Sequence, residues 1–265
     1  MAMGGEHGHE GHAHDAPSAE VRLPRIAWGM IAVTALVVLA AWAITVRTAD
    51  DYMALMDAQL RGAAPTQVAQ YVVLSGVMMV AMMLPSALPM VAVYRGLAAR
   101  DSATMTEARM RTTLFTLGYF VVWTTFTALA LVALMAFGLM GQLGGAAAFV
   151  PGLLLVAAGA YQMTGWKQFC LNHCRTPMSF VMSHWKSGRA GALRMGLEHA
   201  AYCLGCCWLL MLVLFVAGAM SVLWMGVFAG LVLAEKVWTR GPLVSRALGI
   251  ASLGVGLGVL GATYA

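Results

Sequence analysis

Residues 193–217 read LRMGLEHAAYCLGCCWLLMLVLFVA. From Ala200 to Ala217 the stretch carries no charged side chain, and a run of that length and apolarity suits the hydrocarbon core of a bilayer. With no water at that depth, each backbone N–H and C=O must be satisfied within the structure, so the run is a helix or lies in a closed barrel. It shows no apolar/polar alternation, which favours the helix. The same stretch sets three cysteines and a histidine among residues that a simple anchor would fill with leucine.

Six similar runs lie around it, at 26–46, 67–91, 112–139, 146–166, 222–235 and 247–264. Of the 265 residues 61% are hydrophobic and 10% charged, against roughly 25% charged in a soluble domain. The expectation is an all-α, polytopic transmembrane bundle of about seven helices at 24–265, preceded by a polar tail at 1–23. The lipid bilayer is then the first partner, and nucleic acid is excluded as the reason for the net charge of +5.

Orientation follows from the cationic residues, because basic loops stay on the cytoplasmic side. Arg22, Arg25, Arg95, Arg100, Arg109, Arg111, Lys167, Arg175, Lys186, Arg189, Arg194, Lys236, Arg240 and Arg246 fall in alternate connections, and the opposite side holds Arg47 and Arg61. This places the N-terminus in the cytoplasm and the C-terminus in the periplasm of a bacterial inner membrane. Arg22 and Arg25 ahead of a run through Ala41-Trp42-Ala43 have the look of a cleaved signal. The long polar lead and the length of the span argue for a retained helix.

The chemistry begins at Glu198-His199-Ala200-Ala201-Tyr202-Cys203-Leu204-Gly205-Cys206-Cys207. At about 100° per residue, Cys203 falls near +40° from His199, Cys206 near −20° and Cys207 near +80°. One helix face therefore offers an imidazole and thiols, with Glu198 and Tyr202 beside it. Ionisable residues at membrane depth are costly and mark functional positions; against this, a single buried cysteine is an ordinary small hydrophobe.

The second run holds Met79, Met82, Met83 and Met90 around Pro85 and Pro89. Met79 and Met83 are one turn apart, so a thioether stripe can face one way, although methionine also fills irregular core space. By topology Met82–Met90 and His199–Cys206 lie at the same depth and can meet. A third cluster, Cys170-Leu171-Asn172-His173-Cys174, opens the cytoplasmic loop at 167–194, near Met178, Met182 and His184. Cytoplasmic thiols stay reduced and available as ligands. In the tail, His7, His9, His12 and His14 with Glu6, Glu10 and Asp15 make a weak, exchangeable metal site or a solubilising extension.

Other polar residues take plainer readings. Trp123, Thr124, Thr125 and Thr127, and Gln162 near Tyr161, are expected to hydrogen-bond between helices, Glu235 with Lys236 to form an interfacial pair, and the closely spaced glycines 249, 254, 256, 258 and 261 to serve helix packing.

The order Met82-Met83-Leu84-Pro85, Tyr161-Gln162, Lys167, Cys170, Cys174-Arg175, Pro177-Met178, Met195-Gly196, His199, Tyr202-Cys203, Gly205-Cys206-Cys207-Trp208 and Glu235-Lys236 resembles the bacterial predicted metal-binding integral membrane proteins. Gly165 and Ala200 depart from that pattern without removing a ligand. The resemblance implies a metal-binding class, without a reaction.

Thiolate, thioether and imidazole donors select copper(I), with zinc open where Cys and His dominate. The sequence therefore reads as a copper(I)-handling membrane protein, receiving from or delivering to a metal chaperone or another membrane protein. The alternatives are a thiol-disulfide oxidoreductase using Cys203 and Cys206, and a non-catalytic assembly subunit. No phosphate-binding glycine loop is present, which argues against a primary pump.

Overall fold

A computed structural model describes residues 25–51, 64–136, 149–216 and 222–264. Every regular element among them is helical: α1 (Arg25–Arg47), α2 (Pro65–Asp101), α3 (Met105–Ala136), α4 (Phe149–Gln162), α5 (Gly165–Arg175), α6 (Pro177–Ser183), α7 (Gly188–Val216), α8 (Val222–Val237) and α9 (Gly241–Tyr264). The all-α expectation holds. The His-rich tail and most of the loop at 47–66 lie outside the described residues.

Helix starts follow local chemistry. Pro65 and Pro177 occupy the first turns of α2 and α6, where a missing N–H leaves nothing unsatisfied. The Ala64 N–H donates to Gln67 Oε1 at 2.9 Å, closing the start of α2. Thr164 Oγ1 accepts from the Lys167 N–H at 3.3 Å and starts α5. Gly188, at φ +82°, makes the left-handed turn into α7 that a side chain would strain. Pro85 and Pro89 do not end α2, which runs through both for 37 residues.

Four helices are long and apolar enough to cross a membrane, over Pro65–Asp101, Met105–Ala133, Gly188–Phe215 and Gly241–Thr263; Ala32–Arg47 and Phe149–Gln162 are shorter apolar helices. Leu36 and Leu39 of α1, Leu117, Val121 and Leu129 of α3, and Ile250, Val255 and Leu257 of α9 all point outward. An apolar exterior on this scale requires lipid as its solvent. The run expected at 146–166 divides here, with α4 ending at Gln162 and α5 beginning at Gly165. The loop expected at 167–194 is largely the short helices α5 and α6.

Helix α7 is central, packing on α3, α4, α5 and α8, while α9 packs chiefly on α4 and α1 on α2. Small residues permit the closest approaches. A Cβ on Gly118 of α3 would lie 2.6 Å from the Leu193 carbonyl oxygen of α7, and one on Gly196 of α7 would strike the Phe115 carbonyl of α3. On the other flank, a Cβ on Gly159 would lie 2.7 Å from the Gly249 oxygen, and one on Gly256 would lie 2.9 Å from the Gly152 oxygen. Of the five late glycines, 249 and 256 therefore carry the packing; 254, 258 and 261 face open space.

Two charges counted as loop residues are not at the surface. Lys167 and Lys236 are 0% and 6% exposed, and each has its ammonium inside the bundle. Replacing Gly118 or Gly196 with Leu should force α3 from α7 and destabilise the bundle by about 1–3 kcal/mol or more. Gly254→Leu, on an open face, should be near neutral in the same thermal unfolding measurement in detergent.

Candidate metal centre

The thiols expected from α7 are all interior. Cys203, Cys206 and Cys207 are each 1% exposed and share one buried cluster with Met79, Met82 and Met83 of α2 and Cys174 of α5. The i, i+3 and i, i+4 spacing keeps them on neighbouring turns: Cys206 Sγ lies 3.0 Å and Cys207 Sγ 3.1 Å from the Cys203 carbonyl oxygen, each thiol donating to it. From the other side, Cys174 of α5 packs into the same buried cluster as Cys203 and Cys206. Two helices remote in sequence thus contribute cysteines to one buried cluster.

Helix α5 reaches α7 so closely because Gly205 leaves room for it. A Cβ at Gly205 would sit 2.7 Å from Cys170 Sγ. Cys170 is partly exposed at this contact, and burial pushes its thiol up from the ordinary range. Tyr161 Oη donates to the Gly205 oxygen at 2.5 Å, and Gln162 Oε1 accepts from Ser245 Oγ at 3.2 Å. Gln162 beside Tyr161 thus makes the interhelical bond expected of it. Thr127 differs: its hydroxyl donates to Trp123 O within its own helix, at 2.9 Å.

His199 is 2% exposed, and neither ring nitrogen has a hydrogen-bond partner among the described residues. Its ring stacks on Tyr119 at 5.5 Å and Phe115 at 6.1 Å, with Phe180 tilted against it at 5.5 Å. Buried polar atoms are normally paired, so an imidazole with two orphaned nitrogens one turn from Cys203 has unused ligand capacity. Its neighbour Glu198 faces elsewhere, taking Lys186 Nζ at 2.5 Å and Arg194 Nε at 3.1 Å on Oε1. Met90 also separates from the sulfurs, joining Tyr94, Phe115, Phe180 and Met195 in a second cluster. His173 lies on the outer side of α5 and stacks on Tyr202.

Sequence reasoning missed the charged part of the site. Glu235 and Lys236 are not an interfacial pair. Glu235 Oε2 accepts from Lys167 Nζ at 2.7 Å with both side chains almost fully buried, whereas Lys236 Nζ lies 2.9 Å from Cys203 Sγ and 3.2 Å from Ser86 Oγ. Tyr119 Oη stands 3.0 Å from the same sulfur. The signal was available in the chain: consecutive helical residues diverge by about 100°, so Glu235 and Lys236 must meet different partners. Met211 and Met225, also unread, add thioethers to the cluster.

Arg175 completes the frame, donating to the Glu235 carbonyl at 2.6 Å and the Thr239 carbonyl at 3.1 Å. A guanidinium at the end of α8 satisfies its free carbonyls and complements its dipole. Among the described residues no three His, Cys, Asp or Glu side chains are already set around one point as metal ligands. Cys206 and Cys207 instead donate to backbone, and Cys203 meets Lys236 and Tyr119. Soft donors are abundant, and a copper ion binding here would replace those hydrogen bonds as it arrived.

Removing one member of the buried ion pair leaves an uncompensated charge. Lys167→Met should destabilise the protein by about 3–5 kcal/mol, and Lys167→Met/Glu235→Leu should recover much of that loss in detergent melts.

No curated protein and no solved structure matches the chain. A family model described as PpoB2, copper chaperone, matches residues 72–259, which span α2 to α9 and include each cysteine, His199 and Lys236. The chain belongs to this copper chaperone family.

Proposed function

We propose that this protein holds copper(I) within the membrane on the α7 thiols and passes it to an acceptor by ligand exchange. The observation that carries the reading is the packing of Cys174 from α5 into one buried cluster with Cys203, Cys206 and Cys207 from α7 and the α2 thioethers. Thiolate and thioether sulfur select copper(I) among biological metals. Zinc remains the second candidate where Cys and His donors dominate.

Electrostatics support two thiolates as the primary pair. Copper(I) on two thiolates carries a net charge of minus one, which is costly at low dielectric unless compensated. The Lys236 ammonium at 2.9 Å from Cys203 supplies that compensation. Before copper binds, the same ammonium partners the sulfur. Cys203 and Cys206 are the two thiolates; Cys174, Cys207, His199 and the thioethers of Met79, Met82 and Met83 stand by for the exchange. Cys170 lies between this centre and the outer face of α5. Transfer then proceeds by substitution at a soft ion with few ligands, and membership of a copper chaperone family agrees with delivery as the purpose.

A thiol-disulfide oxidoreductase has less support. All five cysteines are free, and Cys203, Cys206 and Cys207 are buried away from any partner disulfide. The inner membrane, with α5 and α6 toward the cytoplasm, remains our assignment of location from the distribution of Arg residues.

The test is copper content after anaerobic copper(I) loading of purified full chain in detergent, with His7, His9, His12 and His14 changed to Ala. We expect about one sulfur-ligated copper per chain, lost in Cys203→Ser/Cys206→Ser and weakened at least tenfold in Lys236→Met. Absence of sulfur-ligated copper in the cysteine-intact chain would overturn the proposal.

A further inference from the structure

The outer face of α5 and α6 carries two histidines that the buried centre does not use. His173 Nδ1 lies 2.9 Å from the Phe169 carbonyl oxygen, and His184 Nδ1 lies 3.1 Å from the Phe180 carbonyl oxygen, each one helical turn back. A carbonyl only accepts, so each of these bonds forms in the tautomer whose Nδ1 carries the hydrogen. Ser183 Oγ, 2.9 Å from His184 Nδ1, directs its own hydrogen to the Ser179 oxygen at 2.8 Å and is compatible with that tautomer. In a neutral imidazole this leaves Nε2 as a bare lone pair. Among the described residues no hydrogen bond engages either Nε2.

Each ring is also held in orientation. His173 stacks on Tyr202 at 4.2 Å with planes 2° apart, and His184 stacks on Phe180 at 4.5 Å with planes 17° apart. Backbone bonds to Nδ1 and aromatic packing are the features that fix metal-ligating histidines. The two ring centres are 6.4 Å apart. An ion bridging two imidazole nitrogens at about 2.0 Å each, in a near-linear arrangement, puts ring centres roughly 6 Å apart. The distance between ring centres is compatible with a two-coordinate ion held between the two imidazoles.

Both histidines are half-buried, and beside His184 the side chains of Met182 and Trp185 line a surface cavity of ≈ 450 Å³ with Leu97, Arg100 and Asp101, which neither histidine lines. Met182 is 67% and Met178 52% exposed, placing thioethers on the same short helix. Helix α5 leaves His173 half-buried beside His184 and turns Cys174, the next residue, to the buried thiols.

We propose that His173 and His184 form a second, surface copper(I) site, bound through their Nε2 atoms, which receives the ion before Cys170 and Cys174 draw it inward. This rests on the buried thiol centre as destination. The exchange needs no redox partner: copper stays monovalent, two imidazoles leave neutral, and the incoming thiols release their protons to solvent.

The experiment uses the full chain with the four tail histidines changed to Ala, loaded anaerobically with copper(I) acetonitrile complex. X-ray absorption reads the ligand type, and competition with a chromogenic copper(I) chelator reads the rate. In the Cys203→Ser/Cys206→Ser background we expect copper on two nitrogen donors, lost when His173 or His184 is changed to Ala. With the cysteines intact, His173→Ala and His184→Ala should each keep sulfur-bound copper at equilibrium yet load at least tenfold more slowly. Thermal melts of both single variants verify folding, and the nitrogen signature in the cysteine variant needs no histidine substitution at all. Unchanged loading in both variants, or no nitrogen-ligated copper in the cysteine background, overturns the surface site. Sulfur-bound copper in the cysteine-intact chain reports separately on the buried centre, so the two readings fail independently.

Discussion

The pairing of Lys167 with Glu235 is the constraint from which the arrangement of the site follows. An ion buried in a bundle that itself sits in lipid must meet its countercharge directly, since no solvent is there to screen it. At 2.7 Å the pair fixes α5 against α8. Arg175, at the far end of α5, adds a second tie by donating to the Glu235 and Thr239 carbonyls at the end of α8. With α5 held at both points, Cys174 must face α7.

The adjacent Lys236 then projects to a different neighbour, since successive helical residues diverge by about 100°. Its ammonium reaches Cys203 and Ser86, linking α8 to α7 and α2 at one depth. The thiol centre thus joins α2, α5, α7 and α8, with a buried ammonium beside Cys203. In the proposed function, that ammonium offsets the two anionic sulfurs of a copper-bound centre. A chaperone must bind copper and also release it, and a centre whose sulfurs retain an alternative partner in Lys236 loses less when the ion leaves.

Close helix contact is the other half of the design. Gly118 and Gly196 bring α3 onto α7, which sets Tyr119 over Cys203 and stacks Phe115 near His199. Gly205 lets α5 reach the same helix beside Cys170. In lipid there is no hydrophobic drive between helices, so van der Waals contact of small residues and a few polar bonds must hold the bundle. The sulfur cluster and the packing surface are the same surface.

The sequence by itself determined the solvent, the helices and one face of the site. Apolar runs of spanning length dictate helices in a bilayer, and the 3.6-residue period places Cys203, Cys206 and Cys207 together whatever surrounds them. Those are local properties, encoded between residues a few positions apart. Tertiary structure alone decided that Cys174 joins these thiols, that Met79, Met82 and Met83 share their cluster while Met90 enters another, and that Glu198 turns to Lys186 and Arg194. It also decided that Lys167 and Lys236, which look like loop charges in the chain, lie inside. Each of these depends on how one helix is rotated against another, and that rotation is set by glycine contacts and buried ion pairs between segments far apart in sequence.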